Sequence, residues 1–248
     1  MFLNKLEIDK QSTVSELVQK DYRTADVFRK FEIEYCCGGR WPLETVCMMK
    51  GLEVNDLIRQ LEDATRTVQI PNIIAFQGWN LDFLIDYIIN VHHNYLRKAL
   101  PETEKLLQEF SEKHASKFVY LPELISHYDK LSKKIMASME REEEIIFPYI
   151  RQITHAWADK ESYAALLVRT LRKPLEEMMH KENETIPDTI RSVRELTMSY
   201  TPPEKACVSH HVVFSKLKEI DEDLMQHIYL EKSVLFPRAV EIERELLQ

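Results

Sequence analysis

Apolar residues along this chain recur at the three- and four-residue steps of amphipathic helices, and nowhere sustain the two-residue alternation of strands. Over the first 65 residues the pattern comes in short pieces. Val14, Leu17 and Val18 predict one helix, with Ser12 as its N-cap and Glu16 near the capping-box position. Ala25, Val27, Phe28 and Phe31 predict a second, stopped by Gly38-Gly39 directly after Tyr35-Cys36-Cys37. A third runs from about Pro42 to Lys50 and ends at Gly51, and a fourth runs from about Val54 to Ala64 with Leu57, Ile58 and Leu61 on one face. Residues 66–78 lose the helical period and read as a linker. Four long patterns follow, at about 80–112, 121–156, 160–199 and 203–245, with short breaks between them. Long helices joined by short loops pack as an up-down bundle. The expected architecture is therefore all-α, with a small helical domain over 1–65, a linker over 66–78 and a four-helix bundle over 79–248. Pro174 and Pro187 fall within the third pattern, so that helix starts at the first or kinks at the second.

The bundle contains an internal repeat. SMEREEEIIFP (138–148) and HIYLEKSVLFP (227–237) align with Glu142 on Glu231, Phe147 on Phe236, Pro148 on Pro237 and Ser138 on His227. On the fourth helix the apolar stripe runs Val213, Leu217, Ile220, Leu224, His227, Glu231, Val234, so His227 and Glu231 lie on the buried face. On the second it runs Leu131, Ile135, Ser138, Glu142, Ile145, Tyr149, and on the first Ile85, Ile89, His93, Leu96, Leu100. A buried carboxylate without a partner costs several kcal/mol. Two of them on core stripes call for compensation, which a metal ion held by inward Glu and His side chains provides. Mixed nitrogen and oxygen ligands suit iron or manganese, with zinc as a further choice.

A lone inward histidine is more often a hydrogen-bonded core residue, and a lone glutamate often reaches water at the edge of its stripe. The combination of His227 and Glu231 in phase, Glu142 at the repeat position and His93 on another helix points to a metal. His180 is the one histidine of the third pattern, so a ligand from that helix has to be it, although Glu176, Glu177 and Glu184 share its face. His92 is expected to point about 100° away from His93 as a packed or surface residue. His127 lies about 16 Å along the helix from Ser138, and His114, His155, His210 and His211 read as surface or capping residues.

Composition agrees. Four glycines and a charged fraction of 30% suit long helices. A net charge of −8 without a basic stripe argues against nucleic acid. The N-terminus lacks the apolar core of a signal peptide, and no run of about 18 apolar residues is present to span a membrane. Cys36 and Cys37 are adjacent, and Cys47 and Cys207 are scattered and read as small core residues, which together suggest a reducing cytoplasm.

YCCGG (35–39) in a short helical domain, with YRTADVFRKFEIEYCCGG, VHHNYLR, EEEIIFP, TPPEKAC (201–207) and HIYLEKSVLFPRA, resembles the Repair of Iron Centres family over nearly the whole chain. The resemblance implies a hemerythrin-like bundle with a non-haem di-iron centre of four His and two Glu. Its ligands fall on His93, Glu142, His180, His227 and Glu231, and the sixth, a histidine, falls on Ser138. A serine hydroxyl is too short and too weakly basic to replace an imidazole, so the pair of irons is expected to be incomplete. The resemblance further implies repair of iron–sulfur proteins damaged by nitric oxide or oxidants, through iron donation or NO handling rather than a defined catalytic turnover. Cys36 and Cys37 would be a redox or relay pair, and a homodimer would be the assembly. Two rival expectations are a hemerythrin-like binder or sensor of O2, NO or iron without turnover, and a metal-impaired homologue acting by protein contacts.

Overall fold

The computed structural model describes residues 3–4, 6–36, 39–68, 74–170, 175 and 185–248. The chain divides into two compact units, one formed by 1–74 with 200–216 and the other by 75–199 with 217–248. The first unit therefore takes in the TPPEKAC segment and the residues after it.

In the first unit, α1 (Val14–Lys20) starts at Thr13, one residue beyond the expected cap. The Thr13 hydroxyl accepts the Glu16 N–H, and the Glu16 carboxylate accepts the Thr13 N–H at 2.9 Å, so both donors are satisfied reciprocally. The second helix, α2 (Thr24–Lys30), is shorter than expected. It ends where Phe31 leaves helical geometry and Glu32 adopts φ +53°, well before Gly38 and Gly39. α3 (Leu43–Lys50) stops at Gly51, whose φ of +67° is the left-handed conformation that a glycine C-cap serves. α4 (Val54–Ala64) follows. Val14, Leu17, Phe28, Leu43, Cys47, Leu57 and Leu61 are buried in this unit. The linker segment contributes a two-residue strand that was not expected, β2 (Thr67–Val68), paired antiparallel with β1 (Leu3–Asn4). Arg23 ties the end of α4 down by donating to the carbonyl of Thr65 at 2.8 Å while paired with Asp21 at 2.6 Å.

In the second unit the first bundle helix comprises α5 (Leu81–Tyr87), a π-turn (Ile88–His93) and α6 (Asn94–His114). The second comprises α7 (Leu121–Arg141), a π-turn (Glu142–Ile146) and α8 (Phe147–Ala158). The described parts of the third pattern are α9 (Ala164–Thr170) and α10 (Thr185–Leu196), with Pro187 in the first turn of α10 and Pro174 outside the described residues. The fourth comprises α11 (Val208–Tyr229), which enters this unit at Leu217, a π-turn (Leu230–Leu235) and α12 (Phe236–Leu246). The helices pack pairwise, α6 and α10 along α7 and α12 along α8. Leu84, Ile85, Ile88, Phe147, Ile150, Leu230, Leu235 and Ala239 form a closed core at one end of the bundle. Polar contacts add to the packing: Arg194 forks onto Asp221 with two bonds of 2.6 Å, and the Tyr149 hydroxyl donates to buried Glu243 at 2.7 Å. Among the described residues no helix is long and apolar enough to cross a membrane.

Gly39 shows why the YCCGG segment ends as it does. Its carbonyl accepts the Ser15 N–H at 2.9 Å, and a Cβ at this position would run into the Tyr35 carbonyl and the Ser15 side chain. Gly39→Ala should therefore destabilise the first unit by about 1–3 kcal/mol. Urea unfolding with hydrogen exchange at residues 14–20 measures this, and unchanged protection of α1 would contradict the packing described.

Candidate metal centre

Each of the three π-turns carries a member of one buried cluster. His93 closes the first, Glu142 opens the second and Glu231 lies in the third, with His227 one turn before it. A π-turn accommodates an extra residue in an α-helix, shifts the side chains that follow and is frequent at functional sites. The shift corrects two expected stripes. On the second bundle helix Ile145 is 51% exposed, while Ile146 and Phe147 are buried. On the first, Ile88 replaces Ile89 on the buried face, and His92 is buried together with His93.

The ligand atoms of His93, Glu142, His227 and Glu231 all lie within 4.8 Å of one another, the one such group of at least three among the described residues. All four side chains are at most 4% exposed. His93 Nε2 is 3.1 Å from His227 Nε2 and 3.4 Å from Glu142 Oε2, and His227 Nε2 is 3.1 Å from Glu231 Oε1. Glu142 Oε2 and Glu231 Oε1 have no hydrogen-bond partner: the His227–Glu231 approach is close enough for an ion pair but not aligned as a hydrogen bond. Two nitrogens bound at right angles to one metal at about 2.1 Å would stand about 3.0 Å apart. The imidazole separation and the two orphaned carboxylate oxygens therefore fit a cation with two nitrogen and two oxygen ligands.

The surroundings orient this set. His93 Nδ1 lies 2.6 Å from Glu143 Oε1, and Arg97 holds the other Glu143 oxygen at 2.7 Å. That leaves Nε2 of His93 for the cluster, the carboxylate–histidine arrangement that fixes metal ligands. The Phe147 ring covers His93, with centroids 5.7 Å apart. Ser138 is buried beside the cluster and donates to Glu142 Oε1 at 2.8 Å. Its hydroxyl steadies the carboxylate without itself providing a strong nitrogen ligand.

Electrostatics follow from burial. Desolvation pushes Glu231 up to about 7, and desolvation with the nearby Glu231 charge raises Glu142. Burial lowers His227 to about 4 against the opposing pull of Glu142. For His93 burial is the largest influence and lowers the value, but the nearby Glu142 carboxylate and the hydrogen bond with Glu143 outweigh it and leave the group raised.

Of the residues expected at the site, His93, Glu142, His227 and Glu231 come together. His180 and Cys37 lie outside the described residues, and Cys36 belongs to the first unit. Three features were not foreseen. His92 is packed, one of the two outcomes expected of it, but it packs against the cluster: its Nδ1 bonds Asp223 at 2.9 Å and its ring lies parallel to His227 at 5.9 Å. Glu143 supports His93, and the EEE run was the only sequence signal for it. His210 is fully buried, edge-on to Phe214 at 4.4 Å, and is neither a surface nor a capping residue.

Cation binding requires both carboxylates ionised. At about pH 6 Glu231 holds its proton, whereas at about pH 8 it has largely lost it; His227 is neutral at both. Binding of zinc, used as a redox-inert probe, should release more protons at pH 6 than at pH 8, and affinity should rise with pH. Calorimetry in buffers of different ionisation enthalpy measures the release, and equal release at both values would contradict this electrostatic account.

Residues 84–239 match the family described as hemerythrin HHE cation binding domain, and residues 10–65 match ScdA_N, a domain of unknown function. The chain is 27% identical to a probable iron-sulfur cluster repair protein of Haemophilus influenzae, over 93% of this chain and 97% of that one. It is 29% identical to the iron-sulfur cluster repair protein YtfE of an Enterobacter species and 28% identical to that of Escherichia coli, each over 92% of this chain and 96% of the relative. The match over 84–239 takes in all four clustered residues, and the chain belongs to the hemerythrin HHE cation-binding family.

Proposed function

We propose that this chain repairs damaged iron–sulfur clusters, holding iron at His93, Glu142, His227 and Glu231 and delivering it or handling nitric oxide there. The observation that carries the reading is the pair of buried carboxylates with orphaned oxygens beside two imidazoles whose nitrogens are 3.1 Å apart. The near full-length likeness to proteins named for iron–sulfur cluster repair supports the biological role. Iron bound here would supply a redox-active Lewis acid to which a small ligand such as nitric oxide or oxygen can bind.

The protein's part is to keep the donors ready. Glu143 and Arg97 fix the His93 ring, Ser138 fixes one Glu142 oxygen, and the apolar side chains of the bundle exclude water. A carboxyl that titrates near neutrality, as Glu231 does, is readily reprotonated when the cation leaves, which suits delivery better than permanent storage. A second iron would draw on His180 and on position 138, and Ser138 makes that position the weaker one. The reading includes a thiol-bearing domain over 1–65, a linker over 66–78 and a bundle over 79–248, with damaged iron–sulfur proteins as clients in the cytoplasm and a homodimer as the assembly.

The test is recovery of a [4Fe–4S] hydro-lyase inactivated by nitric oxide. The iron-loaded chain should restore activity, and Glu231→Gln should slow the recovery by about tenfold or more, the scale on which even outer partners of a metal act. Recovery no faster than with an equal amount of free ferrous salt would overturn the proposal. Reversible NO binding without recovery would favour a hemerythrin-like binder instead.

A further inference from the structure

Cys36 and Cys207 meet in the first unit although they are far apart in sequence. Cys36 lies in the segment after α2, and Cys207 immediately precedes α11. The two segments are drawn together by Lys216, which pairs with Asp26 at 2.7 Å and lies 5.5 Å over the Tyr22 ring. The two thiols are within hydrogen-bonding reach of each other. The Cys207 sulfur also accepts the backbone N–H groups of Ser209 and His210, and its carbonyl accepts the His210 N–H at 3.0 Å. It thus caps the 22-residue helix α11, whose first amides pull against the effect of burial on the thiol. Both residues are half-buried, and neither is in a disulfide.

Sequence adjacency would instead pair Cys36 with Cys37. Neighbouring Cα atoms across a trans peptide stand about 3.8 Å apart, shorter than the roughly 4.4–6.8 Å that a relaxed disulfide spans. Cys207, approaching from another segment of the fold, is under no such constraint.

We infer that Cys36 and Cys207 form a redox-active dithiol that closes to a disulfide by exchange with a low-molecular-weight disulfide such as oxidised glutathione. The inference is independent of the metal reading. Burial holds the Cys207 thiol up and the adjacent Cys36 raises it further, against the pull of the His210 and Ser209 amides, so Cys207 keeps its proton until it resolves the mixed disulfide. The Cys36 thiolate bonds to one sulfur of the incoming disulfide, whose S–S bond breaks and releases one thiolate. Cys207, its proton passing to that thiolate, then attacks Cys36 Sγ and expels the second thiolate, which takes up the proton lost by Cys36. The small disulfide is reduced to two thiols, and the protein dithiol is oxidised by two electrons.

The full chain, reduced and then treated with oxidised glutathione, is alkylated, digested and mapped by mass spectrometry. The expected product is a peptide containing Cys36 linked to one containing Cys207, lighter by two hydrogens than the reduced pair. Cys37→Ser should leave the product unchanged. Cys207→Ser should leave Cys36 blocked as a mixed disulfide with glutathione, with a helical circular dichroism spectrum confirming the fold. Cys36 linked to Cys37 in the native chain, or Cys207 alkylated after Cys36 has been oxidised, would overturn the inference. Metal content measured on the same samples reports separately on the bundle centre.

Discussion

Two carboxylates buried in a helical core, a few ångströms from each other and from two imidazoles, form the constraint around which the second unit is organised. Neither Glu142 nor Glu231 can keep its charge there without compensation, which is why burial pushes both upward in pKa and leaves an oxygen of each without a partner. A cation reverses that balance by replacing lost hydration with direct coordination. The rest of the site serves this centre. Glu143 and Arg97 aim one imidazole, Ser138 anchors one carboxylate, and Phe147 closes over the cluster.

The three π-turns give the bundle its geometry at this level. A strictly regular helix turns one residue in three or four toward the core, which limits how many ligands a helix can present. With the extra residue, the first bundle helix buries His92 beside His93, and the second carries Glu142 inward and then resumes its core contacts at Ile146. The stability of the α-helices on either side accommodates the irregularity. Such local departures are common where function is concentrated.

Much of this was legible in the chain itself. The repeated Glu-to-Phe-Pro spacing around Glu142 and Glu231, and the in-phase positions of His93 and His227, locate the cluster because burying charge is costly enough to mark the sequence. What escaped depends on departures from ideal geometry or on contacts between distant segments. A straight 3.6-residue period places Ile145 inside and turns His92 about 100° from His93, because a single inserted residue leaves no signature in composition. The early end of α2 rests on Glu32 adopting a left-handed conformation that glycine would ordinarily announce. Cys207 looks like a small core residue until the fold brings it to Cys36, since nothing local in TPPEKAC predicts that meeting.

Redox-active sulfur in one unit and a cation site in the other give the chain two chemistries suited to iron in a damaged cluster, one soft and one hard. The account stands or falls on the second. Its most direct test is anomalous diffraction at the iron edge from crystals of the full chain loaded anaerobically with ferrous iron. The account predicts a peak within bonding distance of His93 Nε2, His227 Nε2 and oxygens of both Glu142 and Glu231. A well-ordered cluster without an anomalous peak, or iron bound only elsewhere on the protein, would contradict it.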